Sequence, residues 1–195
     1  HVSLWDKGGK KNLFLEQKDD LGLSKLAYTF LGGVMHSADS LTAIFNPTVN
    51  SYKRIDAQIT TSGATWSPNA VTYSGNNRTH MIRVPDKGRF ELRLMDGSSN
   101  PYLLQAGILV AGLDGIANKR NPGKRLDINM YTEGYKARGA KRLPENMLDA
   151  IKLFEKSSVL KKGFGERLIK SYAKLKKQEW KSFTASLSNW ELDHT

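Results

Sequence analysis

The chain has 195 residues, of which 39% are hydrophobic, and a formal net charge of +11. This length allows one hydrophobic core, no apolar run is long enough to cross a bilayer, and the lack of cysteine excludes disulfides and thiolate metal sites. The first ten residues carry no apolar leader segment, so we expect a cytoplasmic protein with no membrane partner.

The excess positive charge is concentrated in one part of the chain. Residues 136–181 contain fourteen Lys or Arg against five acidic residues, a net +9. Four of these lysines recur at helical spacing, which a solvated helix face explains without any partner: Lys170, Lys174, Lys177 and Lys181. A basic module that binds an anionic partner is the alternative. Because no aromatic-interleaved groove or zinc-finger pattern accompanies the charge, nucleic acid is not expected as that partner.

The N-terminal quarter predicts a hairpin followed by two helices. Val2 to Phe14 alternates in hydrophobicity around a Gly-rich turn, which is typical of a hairpin. A helical pattern begins at Ser24 and continues past Ser37 into a second helix that ends at Asn46-Pro47. Both helices are expected to face the core.

The middle of the chain predicts a long loop, two strands and a buried helix. Residues 46–77 are rich in Thr, Ser, Asn and Gly and lack periodicity, which favours an ordered loop with a functional role. Residues 81–84 and 90–94 alternate charged with apolar side chains and predict short strands. Asn100-Pro101 begins a helix that runs to about Ala117 and is apolar on all sides, so we expect it to be buried.

The C-terminal part predicts two more helices. Residues 118–139 are polar and rich in turns, and Pro144 opens a short helix that ends near Lys156. A last helix runs from about Gly165 to Trp190. Its apolar stripe is expected to pack on the core and consists of Leu168, Tyr172, Leu175, Phe183, Leu187 and Trp190.

The distribution of arginine is the most informative feature for chemistry. Several arginines interrupt the two predicted strands or the polar segment before them, where charge is usually avoided: Arg54, Arg78, Arg83, Arg89 and Arg93. Guanidinium groups bind carboxylate and phosphate oxygens in pairs, and convergent arginines beside one metal-binding carboxylate, such as Glu91, are what phosphoryl transfer requires. Each arginine alone could instead be a surface residue in an ordinary ion pair.

Five ordered motifs give the chain a resemblance to the glutamine synthetase family. They are NPTVNSYKR (46–54), NNRTHMIRVP (76–85), RFELRL (89–94), NPYL (100–103) and AGLDGI (111–116). The opening HVSLW and KNLF resemble the second half of the family's His-x-His-x-Ser-Leu strand and its following turn, and the resemblance extends over almost the whole chain. It implies an α+β fold, formed by the helical half of the catalytic domain with a few antiparallel strands.

The resemblance also implies an activity. Family members use ATP and Mg²⁺ (or Mn²⁺) to join the γ-carboxyl of glutamate to ammonia or a small amine through γ-glutamyl phosphate. Glu91 matches a metal ligand of the family. Arg54 and Arg93 match contacts to glutamate, and Arg78 matches a catalytic contact to glutamate and the transferring phosphate.

Five further positions match the family's nucleotide contacts. Arg83 and Ser3 are implied to contact ATP, and His1 matches the second histidine of the family pair, near the nucleotide phosphates. The segment between Arg83 and Glu91 is shorter than in many relatives, so Lys87 and Arg89 correspond only loosely to nucleotide contacts. A strand-surface serine and a frayed end are the alternative interpretations of Ser3 and His1.

One departure from the family pattern concerns the acceptor amine. Most members carry a Glu-Ala-Pro flap before the position of Arg78, and an ungapped count places Trp66 at that glutamate. An indole cannot act as a base, but it can line an apolar pocket or hold an alkylammonium through a cation–π contact. The sequence therefore favours methylamine as much as ammonia, as in γ-glutamylmethylamide synthetases, unless Trp66 simply packs the loop.

A second departure concerns what the sequence does not contain. The family's β-grasp domain and the upstream strands that supply most metal-binding glutamates have no counterpart in residues 1–195, which we assign to the C-terminal part of the catalytic domain. We therefore expect this chain alone to be inactive, and the complete protein to form a homo-oligomeric ring. The hypothesis requires Arg54, Arg78, Arg83 and Arg93 to converge with Glu91 on one anionic pocket.

Overall fold

The computed structural model of the protein describes residues 1–55 and 67–194. In these ranges, helices pack around a small three-stranded sheet, so the α+β prediction is confirmed. No helix among these residues is both long enough and apolar enough to span a membrane.

The predicted N-terminal hairpin is present as single bridges rather than as extended strands. Trp5 pairs antiparallel with Asn12, and the Asp6 amide donates a hydrogen bond to the Lys11 carbonyl. Val2 pairs antiparallel with Phe90, so the first residues of the chain add a short edge to the sheet. This pairing brings the N-terminus beside the strand that carries Glu91.

Helix α1 spans Lys25–Phe45 as one continuous helix, and the prediction of two helices was wrong. Ser24 caps it as expected, by accepting a hydrogen bond from the Ala27 amide. The polar residues that suggested a break are buried within the helix, where the hydroxyl of Ser40 donates to the Ser37 carbonyl. This hydrogen bond satisfies the Ser40 hydroxyl within the helix, and the backbone continues as a helix through both serines.

The sheet comprises β1 (Tyr73–Ser74), β2 (Ile82–Asp86) and β3 (Arg89–Leu92), in that spatial order. β1 is parallel to β2, and β2 is antiparallel to β3. Both predicted strands are therefore confirmed, with slightly shifted bounds. The predicted loop before them contains a 3₁₀ helix at Val49–Lys53 as well as β1.

Helix α2 spans Pro101–Ala117 with Asn100 as its N-cap, as predicted. It packs closely on α1. A Cβ atom on Gly33 of α1 would lie only 2.1 Å from the carbonyl oxygen of Ala111 in α2. Its predicted burial on all sides was wrong: Leu109 is 48% exposed and Leu113 is 57% exposed. In the described chain, the residues that contact α1 are covered while the outward face meets solvent.

Five short or medium helices complete the described chain: α3 (Met130–Glu133), α4 (Met147–Lys156), α5 (Ser158–Phe164), α6 (Glu166–Thr184) and α7 (Asn189–His194). A 3₁₀ helix at Gly134–Ala137 follows α3. The predicted last helix is thus two helices. Its apolar stripe packs on the core only in part, because four of its members are exposed: Leu175, Phe183, Leu187 and Trp190.

An aromatic cluster fixes the sheet against α1. The rings of Phe14, Phe30 and Phe90 are fully buried, and their centroids lie 5.4 to 6.2 Å apart. Such ring pairs add about 0.5–1.5 kcal/mol each beyond their buried area. Because Phe90 belongs to β3, this cluster sets the orientation of the residues on either side of it.

Candidate active site

Strand β3 separates a buried face from a polar face. Phe90 and Leu92 point into the core, whereas Glu91 and Arg93 are only partly buried. Successive side chains of a strand point to opposite faces, so this alternation places Glu91 and Arg93 together on the polar face.

Two arginines hold the Glu91 carboxylate. Arg83 lies directly opposite Glu91 in the β2–β3 register, and its Nη1 atom lies 2.9 Å from Glu91 Oε2. Arg93, one residue beyond the end of β3, places its Nη1 atom 3.5 Å from the same oxygen. The three side chains are between 11% and 22% exposed, so water screens these contacts only weakly.

The arginines keep Glu91 ionised. Burial raises the pKa of Glu91, but the hydrogen bond from Arg83 and the positive charges of Arg93 and Arg83 outweigh that effect and lower the pKa below its ordinary value. Two cations beside one anion also leave the polar face with a net positive charge. Such a surface favours a further anionic group, such as a phosphate or carboxylate.

Asn76 is a member of this site that the sequence analysis did not assign. Its Oδ1 atom accepts a hydrogen bond of 2.8 Å from Arg83 Nε, which fixes the guanidinium plane. Asn76 is the first residue of the NNRTHMIRVP motif, so its position in the motif was a usable signal. The resemblance assigned a role to Arg78 of this motif but none to Asn76.

The first residues of the chain lie beside β3 on the other side from β2. Since Val2 pairs antiparallel with Phe90, His1 lies opposite Glu91 and Ser3 lies opposite Arg89. Both are exposed, and the Ser3 hydroxyl accepts a 3.1 Å hydrogen bond from the Trp5 indole. His1, Glu91 and Arg83 therefore form a row across three adjacent strand segments.

Arg54 lies near the end of β3 and pairs with a different carboxylate. Its Nη2 atom is 3.1 Å from Asp96 Oδ2, and Asn46, which accepts from the same guanidinium at 3.5 Å, also donates to the Leu94 carbonyl. Burial raises the pKa of Asp96, but hydrogen bonds from Ser51 and Ser98 and the charge of Arg54 lower it overall. Asp96 is a second residue that the sequence analysis missed, although it lies only two residues after the RFELRL motif.

The remaining candidate residues are exposed or undescribed. Arg78 is exposed, and the described parts of the chain offer it no ion-pair partner. Lys87 reaches the side-chain oxygen of Gln17 at 3.3 Å, and Arg89 lies 3.6 Å from Asp86. Trp66 lies outside the described residues.

The expected convergence is thus seen in part. Arg83 and Arg93 meet at Glu91, while Arg54 is engaged with Asp96 and Arg78 contacts neither carboxylate. Across residues 1–55 and 67–194, no group of three or more His, Asp or Glu side chains could hold a metal ion. Glu91 can therefore supply one oxygen ligand to a hard cation such as Mg²⁺, but it needs carboxylates from elsewhere to complete a site.

Comparisons with known proteins agree with the resemblance seen in the motifs. The model of the glutamine synthetase catalytic domain matches residues 1–195. A glutamine synthetase from Rhizobium leguminosarum bv. phaseoli is 54% identical over 195 residues, which cover 100% of this chain and 45% of that protein. A glutamate–methylamine ligase from Methyloversatilis universalis is 41% identical over 198 residues, covering 99% of this chain and 44% of that protein.

A solved structure has the same fold. A GmaS/ADP complex superposes with a TM-score of 0.91 at 53% identity, and the match covers 99% of this chain and 44% of that one. The chain therefore spans less than half the length of the relatives it matches. The family model over the full chain, the sequence identity and the shared fold together show that this chain belongs to the glutamine synthetase family.

Proposed function

We propose that the chain forms the C-terminal part of the catalytic domain of an ATP-dependent ligase. The ligase joins the γ-carboxyl of glutamate to ammonia or a small primary amine through γ-glutamyl phosphate. The observation that carries the proposal is the polar face of β3, where Arg83 and Arg93 flank Glu91 in a member of this family.

Glu91 is the proposed metal ligand of this chain. Its carboxylate is held ionised at neutral pH and is partly exposed, so an oxygen can reach a cation on the polar face. Mg²⁺ or Mn²⁺ bound there neutralises charge on the nucleotide phosphates. The other carboxylate ligands must come from the remainder of a longer protein, since the relatives are more than twice as long as this chain.

The arginines are proposed to hold the anions that react. Arg83 pairs with Glu91, and the segment that begins at His1 lies on the other side of β3; Arg83, Ser3 and His1 are proposed to bind the nucleotide phosphates. Arg93 follows the last residue of β3, and Arg54 pairs with Asp96 nearby. Both are proposed to bind the carboxylates of glutamate. Fixed positive charges at these positions stabilise the charge that spreads over the phosphoryl group during transfer.

Arg78 is proposed to contact both the glutamate carboxylate and the transferring phosphate. It belongs to the same segment as Asn76, which is hydrogen-bonded to Arg83, so it is anchored two residues from the site. Its exposed, uncommitted guanidinium can turn toward a bound anion without breaking an ion pair among the described residues. The nucleotide contacts of Lys87 and Arg89 remain part of the proposal and have weaker support.

The acceptor amine is proposed from Trp66 and from the relatives. The M. universalis relative is a glutamate–methylamine ligase, and the R. leguminosarum relative is a glutamine synthetase. Trp66 stands where most family members carry a glutamate, and an indole face attracts an alkylammonium by about 0.5–2 kcal/mol. Methylamine and ammonia are therefore the two candidate substrates.

A ligase assay on the complete protein tests the proposal. Purified enzyme is supplied with ATP, Mg²⁺, glutamate and either amine, and ADP release is measured with formation of the amide product. We expect product with at least one amine, and no product when glutamate is omitted. A complete protein that binds ATP but yields no amide with either amine would refute the assignment.

Assembly and location follow from the same assignment. We propose a homo-oligomeric ring for the complete protein and a place in the cytoplasm, where ATP and glutamate are available. The competing function, nucleic-acid binding by the basic helices, has less support because several of their lysines are paired with acidic residues. Lys170 lies 2.9 Å from Glu166 and Lys177 lies 2.7 Å from Glu155, which reduces the charge available to phosphates.

A further inference from the structure

A cavity beside α1 has a lining that favours anions. It has a volume of about 630 Å³ and is bounded by α1, by residues 71–73, by the loop 118–126 and by residues 136–141. This volume lies within the range of pockets that bind small organic molecules. None of its lining residues belongs to the Arg83–Glu91–Arg93 cluster.

The charged side chains that line this cavity are all basic. They are Arg120, Lys124, Lys136 and Lys141, and no Asp or Glu belongs to the lining. Three of these cations have carboxylate partners that are not among the lining residues: Arg120 pairs with Asp114, Lys136 with Glu133, and Lys141 with Asp39. Lys124 is exposed and has no ion-pair partner within the described ranges. The side chains that face the cavity therefore offer donors, and one full positive charge is uncompensated.

His36 also lines this cavity, and the basic residues around it affect its pKa. Burial, together with the positive charges of Arg120 and Lys141, lowers the pKa of His36 below its ordinary value, although Asp114 and Asp39 act in the opposite direction. An anion beside His36 would offset these cations and favour the protonated ring.

The cavity walls are held by hydrogen bonds. Lys141 donates to the His36 carbonyl at 2.7 Å, and its own carbonyl accepts from the Val71 amide at 2.8 Å. The Tyr73 hydroxyl donates to the Gly123 carbonyl at 3.0 Å, which ties the loop to β1. A Cβ atom on Gly32 would lie 2.5 Å from the Arg120 carbonyl, so the loop is packed directly on α1. The cavity is thus formed before any ligand arrives.

We propose that this cavity binds a small organic anion with two or more negative charges, of the polycarboxylate or polyphosphate class. The cationic side chains bind its charged groups. The apolar part of the lining, formed by Met35, Val71 and Leu126, contacts its carbon skeleton. A bare inorganic anion would leave that apolar surface uncovered, so the proposal favours an organic ligand over a simple ion.

Calorimetry on the complete protein tests this site. Citrate and fructose 1,6-bisphosphate, an organic bisphosphate, serve as the two probes, titrated without divalent metal and with a saturating ATP analogue, so that the nucleotide site is already occupied. The wild type is compared with Lys124→Ala and Lys124→Glu, and with Lys162→Glu as a control. Lys162 is an exposed cation on α5 outside the cavity, so its substitution changes net charge equally.

We expect at least one probe to bind the wild type, with affinity falling about threefold in Lys124→Ala and at least tenfold in Lys124→Glu. Lys162→Glu should stay within twofold of the wild type. Tighter binding of citrate than of fructose 1,6-bisphosphate would identify a polycarboxylate site, and the reverse order a polyphosphate site. The proposal is overturned if neither probe binds, or if Lys124→Glu and Lys162→Glu weaken binding equally. Because Lys124 is exposed, its variants should fold, and ligase activity without probe should be unchanged.

Discussion

Replacing Glu91 by glutamine removes a charge while preserving the shape of the side chain. The Arg83–Glu91 contact is a charge-assisted hydrogen bond between side chains that are 11% and 22% exposed. Such bonds contribute about 1.5–3 kcal/mol, and the amide oxygen of glutamine can still accept a neutral hydrogen bond worth about 1 kcal/mol. We therefore expect Glu91→Gln to lower the free energy of unfolding by about 0.5–2 kcal/mol, which leaves the protein folded.

The effect on activity should be much larger than the effect on stability. If Glu91 is a metal ligand, the neutral amide is a poor substitute, and kcat/KM for glutamate should fall by at least about 100-fold. The assay is ADP release by the complete protein over a series of Mg²⁺ and Mn²⁺ concentrations, with denaturant unfolding measured in parallel. Glu145→Gln is the control, because Glu145 is exposed on the segment before α4. Activity of Glu91→Gln within threefold of the wild type would refute the reasoning.

The same variant has a predicted pH signature. The pKa of Glu91 is lowered in the folded protein, so its stabilising contribution is complete above the ordinary glutamate pKa of 4.5 and is lost as the pH falls through the folded value. The stability difference between wild type and Glu91→Gln should accordingly be constant from about pH 6 to 7 and shrink below about pH 4.5. A difference that grows on acidification would contradict the ion pair.

Further predictions concern packing, the acceptor and the basic helices. Gly115→Ala places a Cβ atom 2.2 Å from the Thr29 carbonyl oxygen. The overpacking should cost about 3 kcal/mol, which exceeds the gain of about 1 kcal/mol in helix propensity, so the melting temperature should fall. Gly97→Ala, which meets no atom within 4 Å, is its control. Trp66→Ala should reduce kcat/KM for methylamine about three- to thirtyfold more than for ammonia, since it removes the cation–π contact; an equal loss for both amines would argue for a packing role. The chain of 195 residues alone should show no ligase activity, because it supplies one metal-binding carboxylate of the proposed site; amide formation by it would contradict that proposal. Any nucleic-acid binding should be weak and should lack the steep salt dependence that about nine phosphate contacts would impose.

Local signals in the sequence were enough to predict the elements that carry the site. The alternation around Glu91 predicted β3 and its polar face, and Asn100-Pro101 predicted the first turn of α2. These features depend on neighbouring residues, because strand alternation and helix capping are set within a few positions. The side-chain partners depend on how segments that are distant in sequence pack together, which explains why Asn76 and Asp96 were missed.

The errors have physical causes as well. α1 was divided because serines usually favour helix ends, yet the Ser40 hydroxyl is satisfied by the Ser37 carbonyl inside the helix. The last helix was predicted too long: α6 ends at Thr184, and α7 begins at Asn189, directly after Ser188, whose amide donates a hydrogen bond to the Glu191 carboxylate at 2.8 Å. The burial of α2 was overestimated, because the sequence shows which faces of a helix are apolar but not which of those faces are covered by other parts of the protein.

The most direct test of the central claim is a crystal structure of the complete protein with ADP and Mn²⁺, in which anomalous scattering locates the metal. The account predicts a Mn²⁺ peak within about 2.0–2.3 Å of a Glu91 carboxylate oxygen, with Arg83 turned toward the ADP phosphates. A metal bound elsewhere, with Glu91 still paired to Arg83, would contradict the account.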